Sequence, residues 1–228
     1  MGASFISGTL LMAVGIVTVK KNQNLQYILF AAIPLIFAVQ QLTEGFIWLA
    51  LQNKNYTNLL KPFAYLFSVF SQIVWPAWIP LSILILEKKP GRNIILSILS
   101  ILGLFVSVSL GYHLIKYGVI AEIREHHIDY DFRNSLGMPP FISIFYVIVI
   151  LVPPFVCSLK IMWSLGLAVL VSFIITTLLY ENYLISVWCF FAAVISVVVY
   201  FILREIRRSN VDLVTVFKTN EKNESLAS

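Results

Sequence analysis

The chain has 228 residues, 59% of them hydrophobic and only 12% charged, with a formal net charge of +5. A soluble domain carries about 25% charged residues, so an ordinary soluble fold is excluded. The apolar residues instead come in blocks long enough for bilayer spans of about 20 residues each, and the basic residues gather in the short connections between them. There they set membrane orientation and do not point to nucleic acid.

Taken in order, the first expected span is about 3–19. Its charge, Lys20 and Lys21, follows the apolar stretch. A cleavable secretory signal places charge before it, so this segment reads as a retained anchor with its N-terminus outside. The second span is about 25–52, and a loop at 53–61 leads to a third at 62–86. The stretch Glu87-Lys88-Lys89-Pro90-Gly91-Arg92-Asn93 has clear turn chemistry. The fourth span is about 94–114. A long polar connection, 115–140, precedes a fifth span at 141–158, which is interrupted by Pro153-Pro154. A sixth is expected at 161–180 and a seventh at 183–203.

The expected fold is therefore an all-α transmembrane bundle of seven helices. Residues 1–203 form the bundle, and 204–228 form a short polar cytoplasmic tail. No internal repeat of the kind found in many transporters is evident. With the N-terminus outside, the inner segments hold Lys20, Lys21, Lys88, Lys89, Arg92, Lys160, Arg204, Arg207 and Arg208. The outer ones hold only Lys54, Lys61, Lys116, Arg124 and Arg133. That excess belongs on the cytoplasmic side. Cys157 and Cys189 lie in apolar segments and read as small buried hydrophobes.

Candidate functional residues centre on Gln40-Gln41-Leu42-Thr43-Glu44-Gly45-Phe46-Ile47-Trp48. Helical spacing puts Gln41, Glu44 and Trp48 on one stripe, with Gln40 one turn from Glu44. A carboxylate inside a span is costly and is expected to face the bundle or a wet cavity. Gln72 precedes Pro76 and Pro80, each of which removes a helical hydrogen bond, so a kink in span three is expected. The carbonyls it frees need partners or water. Trp75 lies beside this kink and His113 ends span four on the same outer side. Gln40, Gln41, Glu44, Trp48, Gln72, Trp75 and His113 together make an expected outward-facing ligand pocket. His126, His127 and Asp129 would form its lid or hold a divalent metal, with Asp131 and Glu181 nearby. No HxxxH or HxxH pair accompanies them, so the spacing that marks metal sites is missing.

Ala3-Ser4-Phe5, Pro34-Leu35-Ile36-Phe37, Gln40-Gln41, Glu44-Gly45 through Trp48, and His126-His127-Ile128-Asp129-Tyr130 resemble an uncharacterised family of bacterial and archaeal multi-span membrane proteins. Members often begin with Cys-Phe-Ser before the Ala-Ser, where this chain has Met1-Gly2. The resemblance implies the cell (inner) membrane of a prokaryote and no particular reaction. The orientation and the outward clustering of acid and histidine are also similar to seven-span hydrolases of the alkaline ceramidase type, whose paired metal-ligand histidines are not matched here.

The leading expectation is an outward pocket for a small molecule, lipid or metal. The alternatives are a metal-dependent membrane hydrolase using the same Glu and His groups, a small-solute carrier, and a structural or accessory protein in which Glu44 only staples helices. Membrane lipids are the expected surroundings. A retinal protein is excluded by the lack of a lysine inside the last span.

Overall fold

The computed structural model describes residues 2–124, 127–131, 140–179 and 194–208. His126, Arg133, Glu181 and Cys189, and most of the expected seventh span, lie outside them.

Helix α1 (Gly2–Lys21) runs into a short turn, in which the Asn24 side chain caps α2 (Leu25–Ala31) by accepting the Gln26 amide at 3.0 Å. Helix α3 (Ile33–Gln52) follows almost without a gap. The break at Ala32 has a cause in Pro34, which lacks an N–H and whose ring disfavours a helical turn before it. A 3-10 turn (Lys54–Tyr56) then leads to α4 (Thr57–Ser68), a π-helical stretch (Val69–Val74) and α5 (Trp75–Leu86). Helix α6 (Pro90–Tyr117), strands β1 (Ile120–Arg124) and β2 (His127–Asp131), α7 (Pro140–Val156) and α8 (Met162–Leu179) complete the sequence, with α9 covering 194–208.

Four segments are long and apolar enough to cross a membrane: Gly2–Lys21, Leu25–Gln52, Lys54–Leu86 and Pro90–Tyr117. Their limits match the first, second and fourth expected spans to within a few residues, whereas the third begins at Lys54, not 62, because α4 starts at Thr57 inside the expected loop 53–61. The apolar helices α7 and α8 are shorter and coincide with expected spans five and six. Residues 204–208, expected in the tail, continue α9 as helix.

The expected break in span three is a π-helical stretch. Pro76 has no amide to offer the Gln72 carbonyl, and the turn before it widens until the Trp75 amide reaches the Phe70 carbonyl. The carbonyls around this defect find partners on neighbouring helices. The Ser107 hydroxyl of α6 donates to the Ile73 carbonyl at 2.7 Å, and the Tyr146 hydroxyl of α7 donates to that of Ser71 at 2.7 Å. Such groups in a membrane must be satisfied within the protein. The Pro76 carbonyl faces Gly103 so closely that a Cβ there would overlap its oxygen. The proline defect thus fixes how α5 lies against α6.

Helix α1 buries Ser4, Gly8, Leu11, Gly15 and Thr18, one stripe at alternating spacings of four and three residues, against α3. Gly8 lies against Leu42 and Gly15 against the Leu35 backbone. Small residues at a helix interface allow the close packing that drives association in lipid. The largest apolar core runs through α2, α3, α5, α6, α7, α8 and α9, including Phe30, Ile83, Leu96, Val149, Leu165 and Ile202.

The two ends of the bundle differ. At one end, Glu87 and Arg92 join the turn after α7, and the Lys21 ammonium lies 6.0 Å from the centre of the Tyr200 ring on α9. At the other end, the connection after α6 is a β-hairpin. Its Ala121, Ile128 and Tyr130 pack on Ile47, Ala64, Phe67 and Leu114. The Tyr130 and Phe67 rings stack at 4.5 Å.

Candidate functional site

Helix α3 turns four polar side chains into the bundle. Gln40 is fully buried, and Gln41, Thr43 and Glu44 are each at most 3% exposed. The Thr43 hydroxyl is held by the Val39 carbonyl of its own helix at 2.8 Å. The glutamines reach in two directions. The Trp75 indole N–H donates to Gln40 Oε1 at 2.6 Å, tying α3 to α5, and the Ser7 hydroxyl donates to Gln41 Oε1 at 3.1 Å, tying α3 to α1. Trp75 itself is buried, with its ring 4.0 Å from that of Phe37.

Gln41 Nε2 is buried and has no hydrogen-bond partner among the described residues. A buried donor left unmade costs about 1–3 kcal/mol. Helical spacing places it one turn from the Glu44 carboxylate. The layer therefore offers a spare donor beside a buried acceptor. Gly45 completes the turn against the Phe5 ring of α1.

The structure brings Gln40, Gln41, Glu44 and Trp75 into this layer. Trp48 is half-buried above it, packed against the hairpin's apolar cluster. Gln72 is half-buried in the π-helical stretch and makes no described hydrogen bond to the glutamines. His113 is buried on α6, its ring 4.5 Å from Tyr117 and its Nε2 without a partner among the described residues.

The expected lid is a hairpin, and one of its faces packs into the apolar cluster with Ile47, Phe67 and Leu114. Opposed pairs Ala121–Tyr130 and Ile123–Ile128 alternate with Glu122–Asp129 and Arg124–His127. Side chains alternate across a strand, so His127, Asp129 and Asp131 occupy the face opposite to the buried Ile128 and Tyr130. His127 and Asp129 are half-buried and Asp131 is exposed. His126 lies outside the described residues. Among the described residues, no three His, Cys, Asp or Glu side chains come together as a metal site would require.

Sequence reasoning missed Ser7, which the α1 stripe of small residues foreshadows. It also missed Glu87, read only as part of a turn. The Glu87 carboxylate is buried at the end of α5 and accepts the Lys88 and Lys89 amides at 2.9 and 2.7 Å and the Ser158 hydroxyl at 2.7 Å. It also accepts the Ser158 amide. Burial alone would raise its pKa. The hydrogen bonds from Lys89, Ser158 and Lys88 outweigh burial and hold it below the ordinary value of 4.5. Beside it, Arg92 Nη1 donates to the Cys157 carbonyl at 2.9 Å. This pair of contacts latches the α5–α6 turn to the end of α7.

A family model described as a family of unknown function, DUF6629, matches residues 1–213. The chain belongs to that family. No curated protein and no solved structure matches the chain significantly. The family match covers all of the candidate residues, so the α3 layer, the hairpin and the Glu87 latch all fall within the DUF6629 region.

Proposed function

We propose that this DUF6629 member is an integral protein of a prokaryotic cell membrane, with seven spans, the N-terminus outside and the C-terminus cytoplasmic. In this reading it binds a small polar molecule or a lipid in the outer half of the bundle. The observation that carries the binding site is the unpartnered Gln41 amide beside buried Glu44. Gln40 and Trp75 hold the α3–α5 wall, and Ser7 orients the Gln41 carbonyl so that its amide nitrogen is left over. A ligand accepting from Gln41 Nε2 would satisfy that donor. The hairpin packs over the outer end of this wall.

Two features support the orientation. The Lys/Arg excess assigns 20–21, 87–92, 160 and 204–208 to one side. In support of this, the Lys21 end of α1 meets Tyr200 of α9, and the α5–α6 turn meets the end of α7 through the Glu87–Ser158 and Arg92–Cys157 contacts. In a variant with both native cysteines replaced, a membrane-impermeant maleimide is expected to label Asn55→Cys in intact cells and Lys88→Cys only after permeabilisation. The reverse pattern would invert the bundle and with it the outward site.

A second reading has its own observation. The Gln40–Trp75 and Gln41–Ser7 bonds staple α3 to α5 and α1, which is what a purely structural network does. Gln41→Leu separates the two readings. It removes one interhelical bond, a contribution of about 0.6 kcal/mol in membrane bundles. Ser7 keeps the Ser4 carbonyl as an acceptor. It also removes the orphaned donor, which costs about 1–3 kcal/mol. A binding layer predicts that ligand-free Gln41→Leu melts about 1 kcal/mol more stable than the wild type in detergent. A stapling network predicts that it melts lower.

A further inference from the structure

The outer end of the bundle contains a second feature, separate from the Glu44 layer. A cavity of about 370 Å³ lies between the start of α4 and the turn from α6 into β1. Its wall carries Lys61, Tyr65 and Tyr117 among apolar groups that include Leu60 and Val119, and its lining has no carboxylate. Helix α4 begins beside it, with no acidic residue in its first turn to offset the positive end of the helix dipole.

The local backbone explains why the space exists. Helix α6 ends at Gly118, whose amide bonds to the Leu114 carbonyl at 2.9 Å and whose φ of 77° lies in the left-handed region. That residue swings the chain away from the helix axis toward β1. It also leaves room above Tyr65, since a Cβ there would lie 2.8 Å from the Tyr65 hydroxyl oxygen. A larger residue at 118 would be strained and would fill the space. Tyr117 is flanked by a second cation, with Lys116 Nζ 5.1 Å from its ring centre and 5.6 Å from that of Tyr112. One lysine and two tyrosines thus line the space, with Lys116 outside the lining against the Tyr117 ring.

We propose that this cavity binds a phosphate group, with Lys61 supplying the charge and the Tyr65 and Tyr117 hydroxyls the directed hydrogen bonds. A lysine is a point-charge partner for phosphate, and tyrosine keeps its ring in the apolar zone with its hydroxyl at the polar boundary. Basic pockets between spans at the membrane surface suit lipid headgroups. The apolar part of the wall, Leu60 and Val119, lies next to the cationic part, as a phospholipid with its glycerol ester region requires. The same cradle would accept inorganic phosphate.

The test uses the full-length protein in mild detergent, titrated with phosphatidylglycerol and followed by native mass spectrometry. Diacylglycerol of the same chains serves as the phosphate-free probe. Wild type should bind phosphatidylglycerol well above diacylglycerol. Lys61→Gln should weaken this about tenfold and Tyr65→Phe or Tyr117→Phe several-fold, with melting temperatures unchanged because Lys61 is exposed and the tyrosines are only half-buried. Displacement of the lipid by millimolar inorganic phosphate would identify the free anion as the ligand. Persistence of the lipid would identify the headgroup, and either result upholds the phosphate site. Equal binding of diacylglycerol, or wild-type binding of phosphatidylglycerol by all three folded variants, would overturn it. Glu44→Gln should leave this binding unchanged, so its outcome is independent of the Glu44 layer.

Discussion

Replacing Gly103 by alanine is expected to destabilise the protein by about 3 kcal/mol or more, enough to remove much of the folded fraction in detergent. The added Cβ would overlap the Pro76 carbonyl oxygen and stand 3.1 Å from the Pro80 ring. A flexible side chain could swing aside, but a backbone oxygen cannot. That carbonyl belongs to a helix whose neighbouring turn is already widened and pinned by Ser107 and Tyr146. Relief would require α5 and α6 to separate, with loss of packing along both. Gly91→Ala is the control, because nothing lies within 4 Å of a Cβ there and the residue sits in the first turn of α6. It should be neutral or stabilise by a few tenths of a kcal/mol. Thermal unfolding of both variants, followed by circular dichroism, checks the contrast. Equal melting temperatures would mean that α5 and α6 do not approach as described.

The Glu87 latch gives the second large effect. Glu87→Ala should cost about 3 kcal/mol, because it strands the Lys88, Lys89 and Ser158 amides and the Ser158 hydroxyl at once. The pH dependence has a definite sign. The folded-state pKa lies below the ordinary 4.5, so the ionised form is favoured by folding. Its stabilisation is present in full above about pH 4.5. It is lost as pH falls through the lowered value, because protonation discharges the carboxylate and weakens the charge-assisted bonds of the latch. Wild type should therefore lose thermal stability more steeply than Glu87→Gln as pH drops below 4.5. Parallel pH curves for the two proteins would refute the role given to the carboxylate.

The four long apolar segments were legible because hydropathy and length are properties of each segment alone. Leu25–Gln52 falls where the composition put it, whereas only 53–56 of the expected loop 53–61 and 87–89 of the expected turn 87–93 lie outside α-helix. The proline defect was legible as a defect, since Pro76 must forfeit a hydrogen bond wherever it sits in a helix. Its resolution was not. That Ser107 and Tyr146 would reach the freed carbonyls depends on which helices become neighbours, and nothing local to 69–76 states this.

The same limit explains the site. The burial of Gln40, Gln41 and Glu44 follows from their cost in lipid, whereas the pairing of Gln41 with Ser7 requires knowing that α1 packs on α3. The spacing of Ser4, Gly8, Leu11, Gly15 and Thr18 did carry that information. The hairpin was also readable from the alternation in Val119-Ile120-Ala121-Glu122-Ile123-Arg124 and in His127-Ile128-Asp129-Tyr130. The attention drawn by its histidines and acids concealed its period. What made that stretch look like a lid is the polar face of the strand, while its apolar face packs on Phe67 and Ile47.

The most direct test of the binding account is native mass spectrometry of the protein extracted from its own membrane in mild detergent, comparing wild type with Gln41→Leu and Glu44→Gln. The account predicts that wild type carries, besides any phospholipid that Lys61→Gln removes, a bound non-protein mass at near one-to-one stoichiometry. It also predicts that both folded variants lose this mass. Wild type free of any such mass, or variants that retain it unchanged, would contradict the account and leave the α3 layer as a staple between helices.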